Sequence, residues 1–170
     1  MIELEKTYLA KYLPKDLEKF PSKEIIDIYI PKEDDHPKIR VRKNGNKFEI
    51  TKKQPIKDGD ASAQKEQTII LNQKEFESLN KLEGKRVRKI RYNYPFENQI
   101  AEVDVFQDDL KGLVTIDFEF DSQQEKENFE MPDFCLADVT QEVFIAGGMV
   151  CGKKYKGIEN DLERFGYKKL

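Results

Sequence analysis

The chain has 170 residues, of which 37% are charged and 38% hydrophobic, with a net charge of −3. That length suits one domain with a substantial core, and the apolar content excludes a disordered chain. The near balance of acids and bases gives no sign of nucleic-acid or membrane binding, and no apolar run approaches the roughly 18 residues that a membrane helix requires.

In chain order, Ile2-Glu3-Leu4-Glu5-Lys6-Thr7-Tyr8 alternates with period two. It predicts a strand with Glu3, Glu5 and Thr7 on one face and Ile2, Leu4 and Tyr8 on the other. A short helical turn is expected within 12–20, after Pro14. Asp35-His36-Pro37 holds the only histidine and reads as a turn. Residues 38–43 and 47–53, joined by Asn44-Gly45-Asn46, predict a hairpin. Arg40 and Arg42 share a face of its first strand, and Glu49, Thr51 and Lys53 share a face of its second. A loop over 55–64, around Asp58-Gly59-Asp60, leads to a strand with Gln64, Glu66 and Thr68 on one face.

Residues 72–82 predict a helix. Phe76, Leu79 and Leu82 lie at helical spacing, Asn72 and Glu75 form a capping pair, and Gly84 is the stop. Three more alternating runs follow. Lys89, Arg91 and Asn93 oppose Ile90 and Tyr92; Glu102 and Asp104 oppose Ala101, Val103 and Val105. After a turn at 108–112, Thr115, Asp117 and Glu119 oppose Val114, Ile116, Phe118 and Phe120. A second helix is expected over 122–129, with Ser122 and Glu125 as its capping box. The Gly-rich stretch 147–152 does not fit a P-loop and reads as a turn or lid edge, and 157–167 as a helical tail. Cys135 and Cys151 have no metal-site spacing, and the acidic N-terminus has no secretory h-region. A cytoplasmic protein with reduced cysteines is expected.

The polar faces of these runs are almost wholly ionic, and the sign is sorted by strand. Acids dominate the first run and the two at 99–106 and 113–120, while bases dominate those around Arg40 and Arg91. An ordinary solvated face mixes Thr, Ser, Lys and Gln. Like charges at i and i+2 repel unless an opposite charge lies between them. The fold class that follows is α+β, mainly β: a closed antiparallel barrel with its charged faces inward and a few helices packed outside. Buried charge must be compensated, so the interior predicts a polyanion on the Arg and Lys groups and a hard divalent metal on the carboxylates. Without His or Cys in the set, Mg²⁺ or Mn²⁺ fits better than zinc.

Glu3-Leu4-Glu5-Lys6-Thr7, Arg40-Val41-Arg42, Thr51-Lys52-Lys53, Lys89-Ile90-Arg91, Val103-Asp104-Val105, Asp117-Phe118-Glu119 and Asp138-Val139-Thr140 together resemble the CYTH family, the triphosphate tunnel metalloenzymes. The order and spacing of these motifs carry the resemblance over most of the chain. It implies an eight-stranded barrel over residues 1–170. It further implies Glu3, Glu5, Asp117 and Glu119 as metal ligands, with Glu66 and Glu102 as possible additions. Arg40, Arg42, Lys53, Lys89 and Arg91 are implied as triphosphate clamps, and Tyr29 and Asp104 as catalytic candidates. Two positions depart from the family pattern. Its first-strand lysine falls at Thr7, and Lys6 cannot substitute because alternation aims it outward. The second acid of the Glu-x-Glu strand is absent in Glu66-Gln67-Thr68.

The expected activity is metal-dependent hydrolysis of an inorganic or organic triphosphate. Two alternatives stand beside it: a class IV adenylate cyclase, and a nucleotide or polyphosphate-binding domain with weak or no catalysis. The expected partner is a triphosphate-containing small molecule rather than nucleic acid or a membrane, with the protein a monomer or homodimer.

Overall fold

The computed structural model describes residues 2–57 and 59–170; Asp58, in the loop expected over 55–64, and Met1 lie outside the described residues. Nine strands follow in chain order: β1 Ile2–Ala10, β2 Ser22–Ile30, β3 Ile39–Asn44, β4 Lys47–Pro55, β5 Ala63–Leu71, β6 Lys85–Phe96, β7 Gln99–Phe106, β8 Val114–Phe120 and β9 Cys135–Asp138. They hydrogen-bond in the order β5-β4-β3-β2-β6-β7-β8-β1-β9, and a further β5–β1 pairing closes β1 to β8 into an eight-stranded antiparallel barrel. Closure is short. Ile2, Glu3 and Leu4 pair with Lys65, Gln64 and Ala63, while β9 takes the same edge of β1 further along, at Tyr8–Ala10. The Gly45-Asn46 turn joins β3 to β4 as the sequence predicts.

The helices lie outside. They are α1 Gln73–Leu79, α2 Gln123–Asn128, α3 Gly147–Val150 and α4 Glu159–Glu163. Helix α1 begins at the predicted capping box: Asn72 Oδ1 accepts from the Glu75 amide at 3.0 Å and Glu75 Oε2 accepts from the Asn72 amide at 2.7 Å. It ends at Leu79, short of the expected Leu82. At α2, Ser122 caps Glu125, but the Glu125 carboxylate reaches back to the amide of Asp121 instead of Ser122. The expected turn within 12–20 is a 3-10 turn at Leu17–Lys19. The Gly-rich stretch, expected as a turn, forms α3, and the expected helical tail shrinks to the five residues of α4.

The outer faces of the strands make two cores. Tyr8, Val103, Val114, Ile116 and Phe118 pack with Leu17 and Phe134, and Phe129 packs tilted against Phe118 with ring centroids 4.5 Å apart. Ile28 and Val41 pack under Phe76 of α1. A third core lies partly inside the barrel. The inward face of β1 runs Glu3, Glu5, Thr7 and then Leu9, which is fully buried. Leu9 joins Tyr29, Val87 and Phe106 with Ile145 and Val150 from the C-terminal segment. One end of the bore is therefore stoppered by apolar side chains, where the sequence suggested charge along the whole inward face. Among the described residues no helix is long and apolar enough to cross a membrane.

Phe118 is fully buried at the centre of the aromatic cluster on the outer face of β8. Replacing it with alanine is expected to lower unfolding free energy by about 3–5 kcal/mol in urea titrations, from lost burial and the cavity left behind. A loss below about 1 kcal/mol would contradict this placement of the core.

Candidate active site

The inward faces of the barrel enclose a cavity of about 540 Å³. Glu3, Glu5 and Thr7 reach it from β1, Tyr29 from β2, Arg40 and Arg42 from β3, Lys53 from β4 and Glu66 from β5. Lys89 and Arg91 enter from β6, Glu102 from β7, and Asp117 and Glu119 from β8. Of the sequence-predicted site residues, Asp104 alone is absent from this wall. Among the described lining residues ten carboxylates face seven lysines and arginines, so the empty cavity is formally acidic.

The acids meet across the strands. Glu5 lies directly opposite Glu119, Thr7 opposite Asp117, and Glu102 opposite Asp117. Side chains so paired stand about 5 Å apart at Cβ, and like charges there repel. The consequence appears in their protonation. Burial, reinforced by Glu3 and Asp117 and opposed by Lys53, pushes the Glu5 carboxyl up to about 7. Burial and Asp104 raise Asp117; burial, Glu102 and Glu3 raise Glu119. Thr7 relieves part of this strain, its hydroxyl donating to Asp117 Oδ1 at 2.8 Å.

The bases are held differently. Asp27 is buried on β2 and grips Arg42 through two hydrogen bonds, at 2.6 and 2.8 Å. Asp104 is fully buried and does the same for Arg91, at 2.7 Å twice, while also pairing with Lys89. Arg91 reaches Asp117 at 3.2 Å and pairs with Glu102. The guanidinium of Arg91 and the ammonium of Lys89, outweighing burial, hold Asp104 down at about 2. Asp104 is thus an ionised counter-ion that aims two cations, and it has no path to a substrate as a base. Arg40 is held more loosely than Arg42 and Arg91. Its guanidinium reaches only to 3.8 Å from Glu66, and its buried Nε has no hydrogen-bond partner. Tyr29 is buried beside Arg40, Asp27 and Arg42, and burial raises its hydroxyl above the usual range.

Sequence reasoning left three of these neighbours out. Asp27 sits two residues before Tyr29, so the alternation of 22–30 carried its signal. Lys38 sits two residues before Arg40, just ahead of β3, and with His36 it lines the cavity. His36 gave no sequence signal beyond its uniqueness.

Among the described residues no three His, Cys, Asp or Glu side chains stand close enough to hold one metal ion as they are. Lys53 occupies the intervening space: its ammonium pairs with Glu3 and lies 3.7 Å from Glu5 and 3.4 Å from Glu66. The donor set is anionic and all oxygen, and burial together with neighbouring carboxylates raises Glu5, Asp117 and Glu119, which is the chemistry that suits a hard divalent cation.

No protein-family model matches the chain. It is 30% identical over 145 residues to an inorganic triphosphatase of Nitrosomonas europaea, an alignment covering 84% of this chain and 91% of that one. The chain belongs to the CYTH family of triphosphate tunnel proteins. A crystal structure of an inorganic triphosphatase superposes with a TM-score of 0.64 over 89% of this chain and 95% of that one, at 24% identity. A Hippeastrum protein described as an adenylyl cyclase with dominant triphosphatase activity superposes at 0.51, over 99% and 90%, at 12% identity. At these identities the superpositions speak for the CYTH barrel itself.

The raised carboxyl of Glu5 makes the metal-free protein sensitive to pH. A carboxyl whose folded pKa lies above its unfolded value stabilises the fold fully below about 4.5, and that contribution is lost as pH rises through about 7. Without divalent ions, stability is expected to fall between pH 5 and 8 by on the order of 3 kcal/mol from this group. Urea midpoints across that range check it, with Glu5→Gln expected to flatten the profile. A wild-type profile already flat would contradict the assignment.

Proposed function

We propose that this chain hydrolyses the terminal anhydride of a triphosphate inside the barrel, in a metal-dependent reaction. The observation that carries the reading is the sorting of charge around one cavity. Arg40, Arg42, Lys53, Lys89 and Arg91 project from β3, β4 and β6, and Glu3, Glu5, Asp117 and Glu119 from β1 and β8. A phosphate chain satisfies the first set; a divalent ion satisfies the second.

The chain's own residues account for binding and orientation. Asp27 and Asp104 fix the planes of Arg42 and Arg91 before substrate arrives, so little reorganisation is needed on binding. Arg40 brings an unpartnered N–H. Lys53 is expected to turn from Glu3 and Glu5 toward an incoming phosphate, which frees both carboxylates for Mg²⁺ or Mn²⁺, with Asp117 and Glu119 beside them. When bound, such an ion neutralises charge on the phosphoryl oxygens and orients the attacking water. The apolar stopper of Leu9, Val87 and Phe106 keeps bulk water from that end of the bore.

Purified protein with tripolyphosphate and Mg²⁺ or Mn²⁺ is expected to release phosphate. Glu5→Ala is expected to reduce kcat at least 100-fold, since metal-ion stabilisation is worth several kcal/mol. Wild-type release no greater than that of Glu5→Ala would sink the proposal. ATP in the same panel, with cyclic AMP as the readout, separates hydrolysis from cyclase chemistry.

A further inference from the structure

The cations of the cavity wall are not equally engaged. Arg42, Lys53, Lys89 and Arg91 each have a carboxylate within ion-pair distance below 3 Å, and Arg40 has one at 3.8 Å. Lys38 lines the same cavity and has no carboxylate partner among the described residues. It shares the inward side of the β3 segment with Arg40 and Arg42, and its carbonyl accepts from the amide of Lys53 at 3.3 Å. It is therefore contiguous with the residues that the proposed function assigns to phosphate.

Its ammonium is held all the same. Nζ lies 3.1 Å from Nδ1 and 3.3 Å from Nε2 of His36. Burial, with Lys38 and Lys85 alongside, lowers the pKa of His36, which disfavours a second positive charge beside the ammonium. The ring is itself braced. A Cβ at Gly148 would stand 2.8 Å from His36 Cδ2 and 2.5 Å from the Pro37 carbonyl, so the bare glycine of α3 is what lets the helix press on this loop. Lys85 ties down the same loop by donating to the carbonyls of Asp34 and Asp35. Helix, histidine and lysine make one braced assembly that presents at the wall of the cavity a positive charge with no carboxylate partner among the described residues.

We propose that Lys38, positioned by His36, is a substrate-binding residue that contacts a phosphoryl group of the triphosphate. This rests on the reading of the cavity as a triphosphate site and adds a cation to its wall. Thr7, which lines the same cavity, brings a hydroxyl already committed to Asp117 and no charge of its own.

Steady-state kinetics with tripolyphosphate and Mg²⁺ test it. Loss of one charge-assisted contact predicts a rise in KM on the order of tenfold for Lys38→Met. Lys38→Arg is expected to stay within about threefold of wild type, because it keeps the charge. His36→Phe is expected to raise KM by less than Lys38→Met, since it removes only the brace. Lys74→Met, an exposed lysine of α1, is the control, and melting temperatures of all four are expected to match wild type. Unchanged KM and kcat in Lys38→Met, with an active wild type, would overturn the role of Lys38 alone. A wild type that neither binds nor cleaves tripolyphosphate would overturn the triphosphate reading and the Lys38 assignment with it.

Discussion

The structure depends on the opposition of Glu5 and Glu119 across β1 and β8. Two carboxylates at directly paired positions repel, and a fold tolerates them only when something positive stands between or beside them. Without ligand that role falls to Lys53, whose ammonium reaches Glu3, Glu5 and Glu66 together. One lysine cannot neutralise so many acids, and burial, reinforced by neighbouring carboxylates, raises the pKa of Glu5, Asp117 and Glu119. Selection for stability alone would replace such a cluster, since apolar residues of similar volume often stabilise as well or better. Its retention places the pressure on chemistry.

The basic side of the cavity solves the complementary problem. Buried Asp27 and Asp104 each bind a guanidinium through two parallel hydrogen bonds. Such pairs fix both the plane and the position of the cation, which a lone arginine on a strand would not keep. The two acids lie behind the cations they hold. The wall thus presents charge with known direction, and Arg40, with its nearest carboxylate at 3.8 Å, is held less firmly than Arg42 and Arg91.

Much of this was legible in the sequence because a strand has a period of two and the barrel turns one parity inward. Glu3, Glu5, Arg40, Arg42, Lys53, Lys89, Arg91, Glu102, Asp117 and Glu119 all reach the cavity as alternation requires. Alternation reports side, however, and not depth. It gave no warning that the inward face of β1 changes from ionic to apolar at Leu9, because Leu9 is one residue past the visible pattern and its partners, Ile145 and Val150, are distant in the chain. Asp104 has the parity of a wall residue and the burial of a core residue, and only the packing of Lys89 and Arg91 over it distinguishes the two. Asp27 shares the parity of Tyr29, so alternation carried its side, but nothing local to 22–30 shows that it grips Arg42. Gly147 and Gly148 were visible as glycines, but their purpose is a close approach, to the Tyr29 hydroxyl and to His36, that no local pattern encodes.

Thr7 shows how such a site absorbs a change. A lysine in that place, opposite Asp117, would bring a positive charge to the most crowded acidic stretch of the barrel. Threonine brings only a hydroxyl, and it donates that hydroxyl to Asp117, leaving the other carboxylate oxygen to Arg91 at 3.2 Å. Its amide donates to Thr140 Oγ1, whose hydroxyl in turn donates to Asp138. Position seven has become a junction that ties β1 to Asp117 on one side and to the segment after β9 on the other. The charge a lysine would have carried has no local substitute on β1, because Lys6 faces outward over Phe129. Compensation must come from another wall, and there the free charge of Lys38 projects from β3's leading edge into the same cavity.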